Sequence, residues 1–244
     1  MSTLLLAGQA TPLPPIIHSR RWISRAWALF RGTPVSGWLL AMFPLACELV
    51  IQLGVPVAGT VLSKVLVPLA GAWALALVHR RATRHAYQVR VATMAWARRI
   101  PALLLLAAFT AVLVFGLQML VLASIAGTGQ ARAAAVQDMH LLDLARWQVA
   151  VMLVSGVLPS LALLFAQAQV LLGGMGARPA IVHSLRTAVR WRLPLLPIAG
   201  IAAALLLAAA WMPLVLLVLP VVFLYLGYAA WEDVCGTHPE CHAG

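Results

Sequence analysis

An all-α membrane fold is what this sequence predicts: a polytopic bundle of six transmembrane helices forming three hairpins, with basic interfacial amphipathic helices on the cytoplasmic side. Three observations predict it. Of 244 residues, 63% are apolar and 9% charged. The apolar residues fall in runs of about 20 or 40, the lengths that one or two crossings of a hydrocarbon layer roughly 30 Å thick require. The 17 basic residues face six acidic ones and gather in three of the intervals between the runs.

The interval that orients the chain is His79 to Arg99, which carries Arg80, Arg81, Arg84, Arg90, Arg98 and Arg99. Basic residues flanking apolar spans stay in the cytoplasm. With six spans both termini share that side. Residues 1–36, 79–99 and 173–193 then hold 14 of the 17 basic residues and the rest hold Lys64, Arg132 and Arg146. The reading is a bacterial inner-membrane protein with its N-terminus and C-terminus cytoplasmic. A net charge of +11 could suggest nucleic acid, but these arginines flank spans and form no basic domain of their own, so no nucleic acid is expected. Anionic lipid is the counter-charge that fits.

Residues 1–15 read as a disordered lead, too poor in apolar and basic residues for a signal peptide. His18 to Arg31 places Trp22, Ile23, Ala26, Leu29 and Phe30 on one helical face and His18, Arg21 and Arg25 on another. This describes a helix in the membrane interface, its rings among acyl chains and its guanidinium groups at phosphates. Leu39 to Val78 is long enough for two crossings that turn at Gly54-Val55-Pro56. Ile100 to Ala126 makes the third, and a polar loop from Gly127 ends at Arg146. Trp147 to Leu172 makes the fourth. A glycine-rich break, Gly173-Gly174-Met175-Gly176, precedes a second basic amphipathic stretch from Pro179 to Arg192, with Val182, Leu185 and Val189 on one side and Arg186 and Arg190 on the other. Leu193 to Trp231 has no charge and makes the fifth and sixth crossings, split at Trp211-Met212-Pro213. Residues 16–234 thus form one transmembrane domain, and 235–244 a Cys/His-rich tail.

An internal echo accompanies this order. His18, Ser19, Arg21 and Arg25 recur as His183, Ser184, Arg186 and Arg190 at a constant offset of 165 residues. The repeating unit is an interfacial helix followed by a hairpin.

At Arg178 to Leu196 and Tyr228 to Gly236 the sequence resembles a group of uncharacterised proteobacterial inner-membrane proteins with six helices, related to the membrane domain of some glycerophosphodiester phosphodiesterases. Ala180, Ser184, Arg186, Arg190, Leu193 and Pro194 fit that pattern before the fifth span. Tyr228, Asp233 and Val234 fit it at the end of the last helix, where Cys235 stands in place of a phenylalanine. The resemblance runs from about Ser19 to Gly236. It implies a shared fold and carries no catalytic residues.

No nucleophile elbow, phosphate loop or zinc-protease motif is present. Asp138, His140 and Asp143 cluster in the outer loop, either as a site or as a cap and a solvated pair beside Arg146. No enzyme is expected. Within the apolar runs Glu48, Gln52 and Lys64 stand out, because an ionisable residue inside the membrane is a functional candidate unless it serves as a clamp between helices. Gln118, Gln167 and Gln169 add amides. Gly200, Ala204 and Ala208 recur every four residues, a spacing that lets helices approach closely.

Two function classes follow. The first is a non-enzymatic bundle that organises or passes lipids, small amphiphiles or partner membrane proteins, with Arg21, Arg25, Arg98, Arg99, Arg186 and Arg190 at the headgroups and no cofactor. The second is a protein that binds or moves a metal ion, using Cys235, His238, Cys241 and His242 of the tail, a donor set suited to zinc or copper.

Overall fold

The computed structural model describes residues 15–55, 59–84, 87–136 and 143–236, and every regular element among them is helical. In chain order the helices are α1 (Pro15–Arg31), α2 (Pro34–Gly54), α3 (Gly59–Arg84), α4 (Val89–Ala126), α5 (Thr128–Val136) and α6 (Arg146–Ser155). They continue with α7 (Val157–Ala162), α8 (Ala166–Leu171), α9 (Ala177–Arg190), α10 (Arg192–Ala209) and, after a 3-10 turn at Pro213–Leu217, α11 (Leu219–Gly236). Five helical segments are long and apolar enough to cross a membrane: Pro34–Gly54, Leu62–Arg84, Val89–Ala126, Arg192–Ala209 and Pro213–Cys235. The expected lead, apart from Pro15, lies outside the described residues.

Helix α2 ends at Gly54, the first of the predicted turn residues, and packs along α3, while Pro56 lies outside the described residues. A Cβ added at Gly59 would lie 2.8 Å from the Ile51 carbonyl oxygen, so only glycine lets α3 begin this close to the end of α2. Helix α4 is longer than the third apolar run, because nothing between Val89 and Ile100 breaks a helix. Its 38 residues extend about 57 Å, nearly twice the hydrocarbon thickness, so the turns carrying Arg90, Arg98 and Arg99 overhang the apolar part.

The fourth apolar run departs from expectation. Residues 146–171 are divided among α6, α7 and α8, with breaks at Gly156 and at Leu163 to Phe165. Gly156 packs against Gln118, whose Nε2 would lie 2.8 Å from an added Cβ. At the second break the Ala162 carbonyl accepts a bond from Ser184 of α9 at 2.8 Å, which replaces a helical partner. Gly174, at φ +76°, then turns the chain into α9, a backbone conformation that suits glycine.

The core lies where α3, α8 and α11 meet. Ala72 and Ala74, Phe165, Ala166 and Val170, and Tyr228 and Ala230 are all excluded from the surface. Alanines on α3 supply the close approach expected from the small-residue stripe on α10. That stripe instead points outward: Gly200, Ala204 and Ala208 are exposed, and α10 packs through Leu195, Ile198, Ala202 and Ala209. A four-residue spacing marks a face but does not reveal which face the bundle uses.

Helix α1 is corrected in the same sense. Trp22, expected among acyl chains, is 1% exposed and packs with the ends of α10 and α11, while Ile23 and Trp27 point outward. The echo between α1 and α9 has a structural counterpart. Ser19 and Ser184 are both buried, and each donates to a backbone carbonyl of another element, Ser19 to Pro194 at 2.7 Å.

Candidate lipid-facing site and intramembrane cavity

Donors spaced along one face of α1 meet two consecutive acids near the end of α11. Asp233 Oδ2 lies 3.0 Å from His18 Nδ1 and accepts the Trp22 indole N–H at 2.8 Å. One turn on, Arg25 donates from Nε and from its terminal nitrogen to the two oxygens of Glu232, at 2.7 and 2.9 Å. The fork-to-fork geometry holds the pair, and the hydrogen bonds that Arg25 donates to Glu232 raise its guanidinium above its ordinary value. Arg25, expected at a phosphate, is therefore engaged by Glu232. Tyr228 connects the clasp inward, donating to Glu232 at 3.4 Å and lying 3.3 Å from His79. Sequence reasoning missed Glu232, and it noted Asp233 only through a resemblance. The spacing of His18, Trp22 and Arg25 at i, i+4 and i+7 was the available signal.

The other predicted headgroup arginines lie on α1, α4 and α9. Arg99 lies over the Gly174 turn, and Arg21, Arg98, Arg186 and Arg190 are exposed. None of the five makes an ion pair with a carboxylate among the described residues. On α9, Ala177, Ala180, Ser184 and Thr187 face inward. Val182, Leu185 and Val189 are 41%, 41% and 68% exposed and run between Arg178, Arg186 and Arg190. Beside α1 an apolar groove of about 430 Å³ is lined by Trp27, Phe30, Trp38, Val222 and Tyr225.

The intramembrane polar residues come together between α2 and α3. Lys64 Nζ donates to Glu48 Oε1 at 2.8 Å, Gln52 donates to the same oxygen at 3.1 Å, and buried Ser63 lies 3.5 Å from it. The arrangement is a satisfied pair with two neutral supports, which is the clamp alternative raised by the sequence.

One turn from this cluster, between α2, α3, α4, α7, α8 and α11, lies a cavity of about 350 Å³. Its wall is apolar apart from Thr110, Ser160 and Gln167, and Leu163 and Leu164 bring the second break of the fourth run to its edge. Gln167 donates to the Pro68 carbonyl at 2.6 Å. Non-helical backbone at membrane depth is tolerated where it is buried or lines such a space.

No family model matches the chain, and no curated protein or solved structure matches it significantly.

The remaining candidates fare differently. Asp138 and His140 lie outside the described residues, while the Asp143 backbone N–H donates to Gln130 at 3.0 Å. Cys235 is fully buried on α11, and His238, Cys241 and His242 lie outside the described residues. No group of three or more metal-binding side chains is found among the described residues.

Proposed function

We propose that this chain is a non-enzymatic multi-pass protein of a bacterial inner membrane that holds anionic phospholipid of the cytoplasmic leaflet and organises or passes lipids or small amphiphiles. It takes six crossings, with α6, α7 and α8 in series making the fourth. Residues 146–171 would extend about 39 Å as one unbroken helix, which leaves about 9 Å for the two breaks to take up across a layer of about 30 Å. Both termini and the arginine-rich end are cytoplasmic. The resemblance at 178–196 and 228–236 to six-helix inner-membrane proteins agrees with this, and partner membrane proteins have exposed apolar faces to dock on.

The observation that carries the reading is the outward face of α9. Val182, Leu185 and Val189 are costly to leave in water, and the arginines beside them have no carboxylate among the described residues. Acyl chains answer the first need and headgroup phosphates the second. Replacing Arg186 and Arg190 together with Gln should weaken retention of phosphatidylglycerol by roughly 1 kcal/mol per charge, measured by native mass spectrometry of protein exchanged into mixed micelles. Unchanged retention would assign these arginines to water or to a protein partner.

A further inference from the structure

The cavity at the broken fourth run is distinct from the arginine-rich face and has its own chemistry. No charged side chain lines it. Lys64 and Glu48, one turn away, are satisfied by each other, so the space offers nothing to an ionised headgroup. A carboxylate or phosphate placed there would lose its hydration with no cation to replace it.

The polar groups that do line it are unevenly equipped. The Thr110 hydroxyl donates to the Leu106 carbonyl of its own helix at 2.9 Å, so its lone pairs remain. One Gln167 N–H is held by Pro68, which leaves the amide oxygen and the second N–H. Ser160 makes no side-chain hydrogen bond among the described residues. Acceptors therefore outnumber donors, and a ligand hydroxyl, which gives and takes one bond, complements the set. The rest of the wall is hydrocarbon, and the volume falls within the range of small-molecule sites, about 300 to 1,000 Å³.

Deepening the lipid-handling reading of the preceding section, on which it rests, we propose that this cavity binds a neutral single-chain lipid bearing a hydroxyl headgroup, in the class of a monoacylglycerol or a long-chain alcohol. The hydroxyl sits among Ser160, Thr110 and Gln167, and the chain fills the apolar remainder. The break at Leu163 to Phe165 has a role in this account. A continuous helix through Ser160 and Gln167 would place these residues seven positions, or about 10 Å, apart along one stripe, whereas the break redirects the chain between them.

Gly71 supplies the test, because it lines the cavity and a Cβ there would meet only the Gln167 amide nitrogen at an ordinary 3.7 Å. Purified full-length protein is incubated with monoolein, methyl oleate or oleate, and the retained ligand is counted by native mass spectrometry. About one equivalent of monoolein should bind, with methyl oleate, which lacks a donor, and charged oleate each weaker by roughly tenfold or more, the worth of one lost hydrogen bond. Gly71→Leu, which fills the space, should lose monoolein, while Gly71→Ala should keep most of it. If Gly71→Leu does not fold, Ser160→Ala carries the test by removing the preference for monoolein over methyl oleate. Equal retention of the three probes, or full monoolein binding by folded Gly71→Leu or an undiminished preference in Ser160→Ala, would overturn the proposal. Failure of the unaltered protein to bind monoolein, with phosphatidylglycerol still held through Arg186 and Arg190, would sink this inference alone. The converse would sink only the surface reading.

Discussion

At the scale of single residues the informative pair is Glu48 and Lys64. They are the only charges in 40 apolar residues and sit at similar distances on either side of a turn, which is why their contact was legible in the sequence. Ser63 was not foreseen, because an uncharged hydroxyl beside a lysine carries no signal of its own. The geometry makes Glu48 a shared acceptor, so removing one charge strands the other at membrane depth, at a cost of about 2 kcal/mol. Glu48→Gln and Lys64→Met should each lower the melting temperature in detergent. The double variant should recover much of the loss, with a coupling of about 1 kcal/mol or more. Strictly additive losses would mean that the two charges do not depend on each other, and would return Glu48 to candidacy as a proton or cation site.

At the scale of elements, periodicity shows that a helix has two faces, but it does not say what each face touches. Helix α1 shows the difference: its aromatic face was readable, yet Trp22 is bonded to Asp233 and buried against α11 instead of resting among acyl chains. The partner was invisible because it lies 211 residues away. The same limit turned the small-residue stripe of α10 outward. The fourth run illustrates another: Gly156 gave a weak breaker signal, and nothing in Leu163-Leu164-Phe165 marks a break, which tertiary partners such as Ser184 make affordable. If the clasp holds α1 in place, Asp233→Ala should leave the buried Trp22 N–H without a partner, at about 1 to 3 kcal/mol. Amide hydrogen exchange in α1 should then quicken while exchange in α4 stays unchanged, and Asp233→Asn, which keeps an acceptor, should fall between. Exchange in α1 equal to that of the unaltered protein would show that the helix is held by packing alone.

At the scale of the whole molecule, composition and the grouping of bases decided most of what was legible. The apolar runs predict helices throughout and six crossings; every regular element among the described residues is helical, and five helices are fit to cross a membrane. The ends of α1, α3, α9 and α11 meet, as the contacts of His18 with Asp233 and Trp191 and of His79 with Tyr228 show. The cavity was not legible, since Thr110, Ser160 and Gln167 come from separate elements and only the fold assembles them. Which way the bundle faces is the claim on which the proposed lipid reading depends, because the anionic surface potential that reading assigns to α9 belongs to the cytoplasmic leaflet. Its most direct test is labelling of single cysteines in intact cells, in a background with Cys47, Cys235 and Cys241 replaced. A membrane-impermeant maleimide should reach a cysteine placed at Ala134, on α5 beyond the third crossing, and should miss one at Thr83 until the membrane is opened. Labelling at Thr83 with protection at Ala134 would invert the bundle and contradict the account.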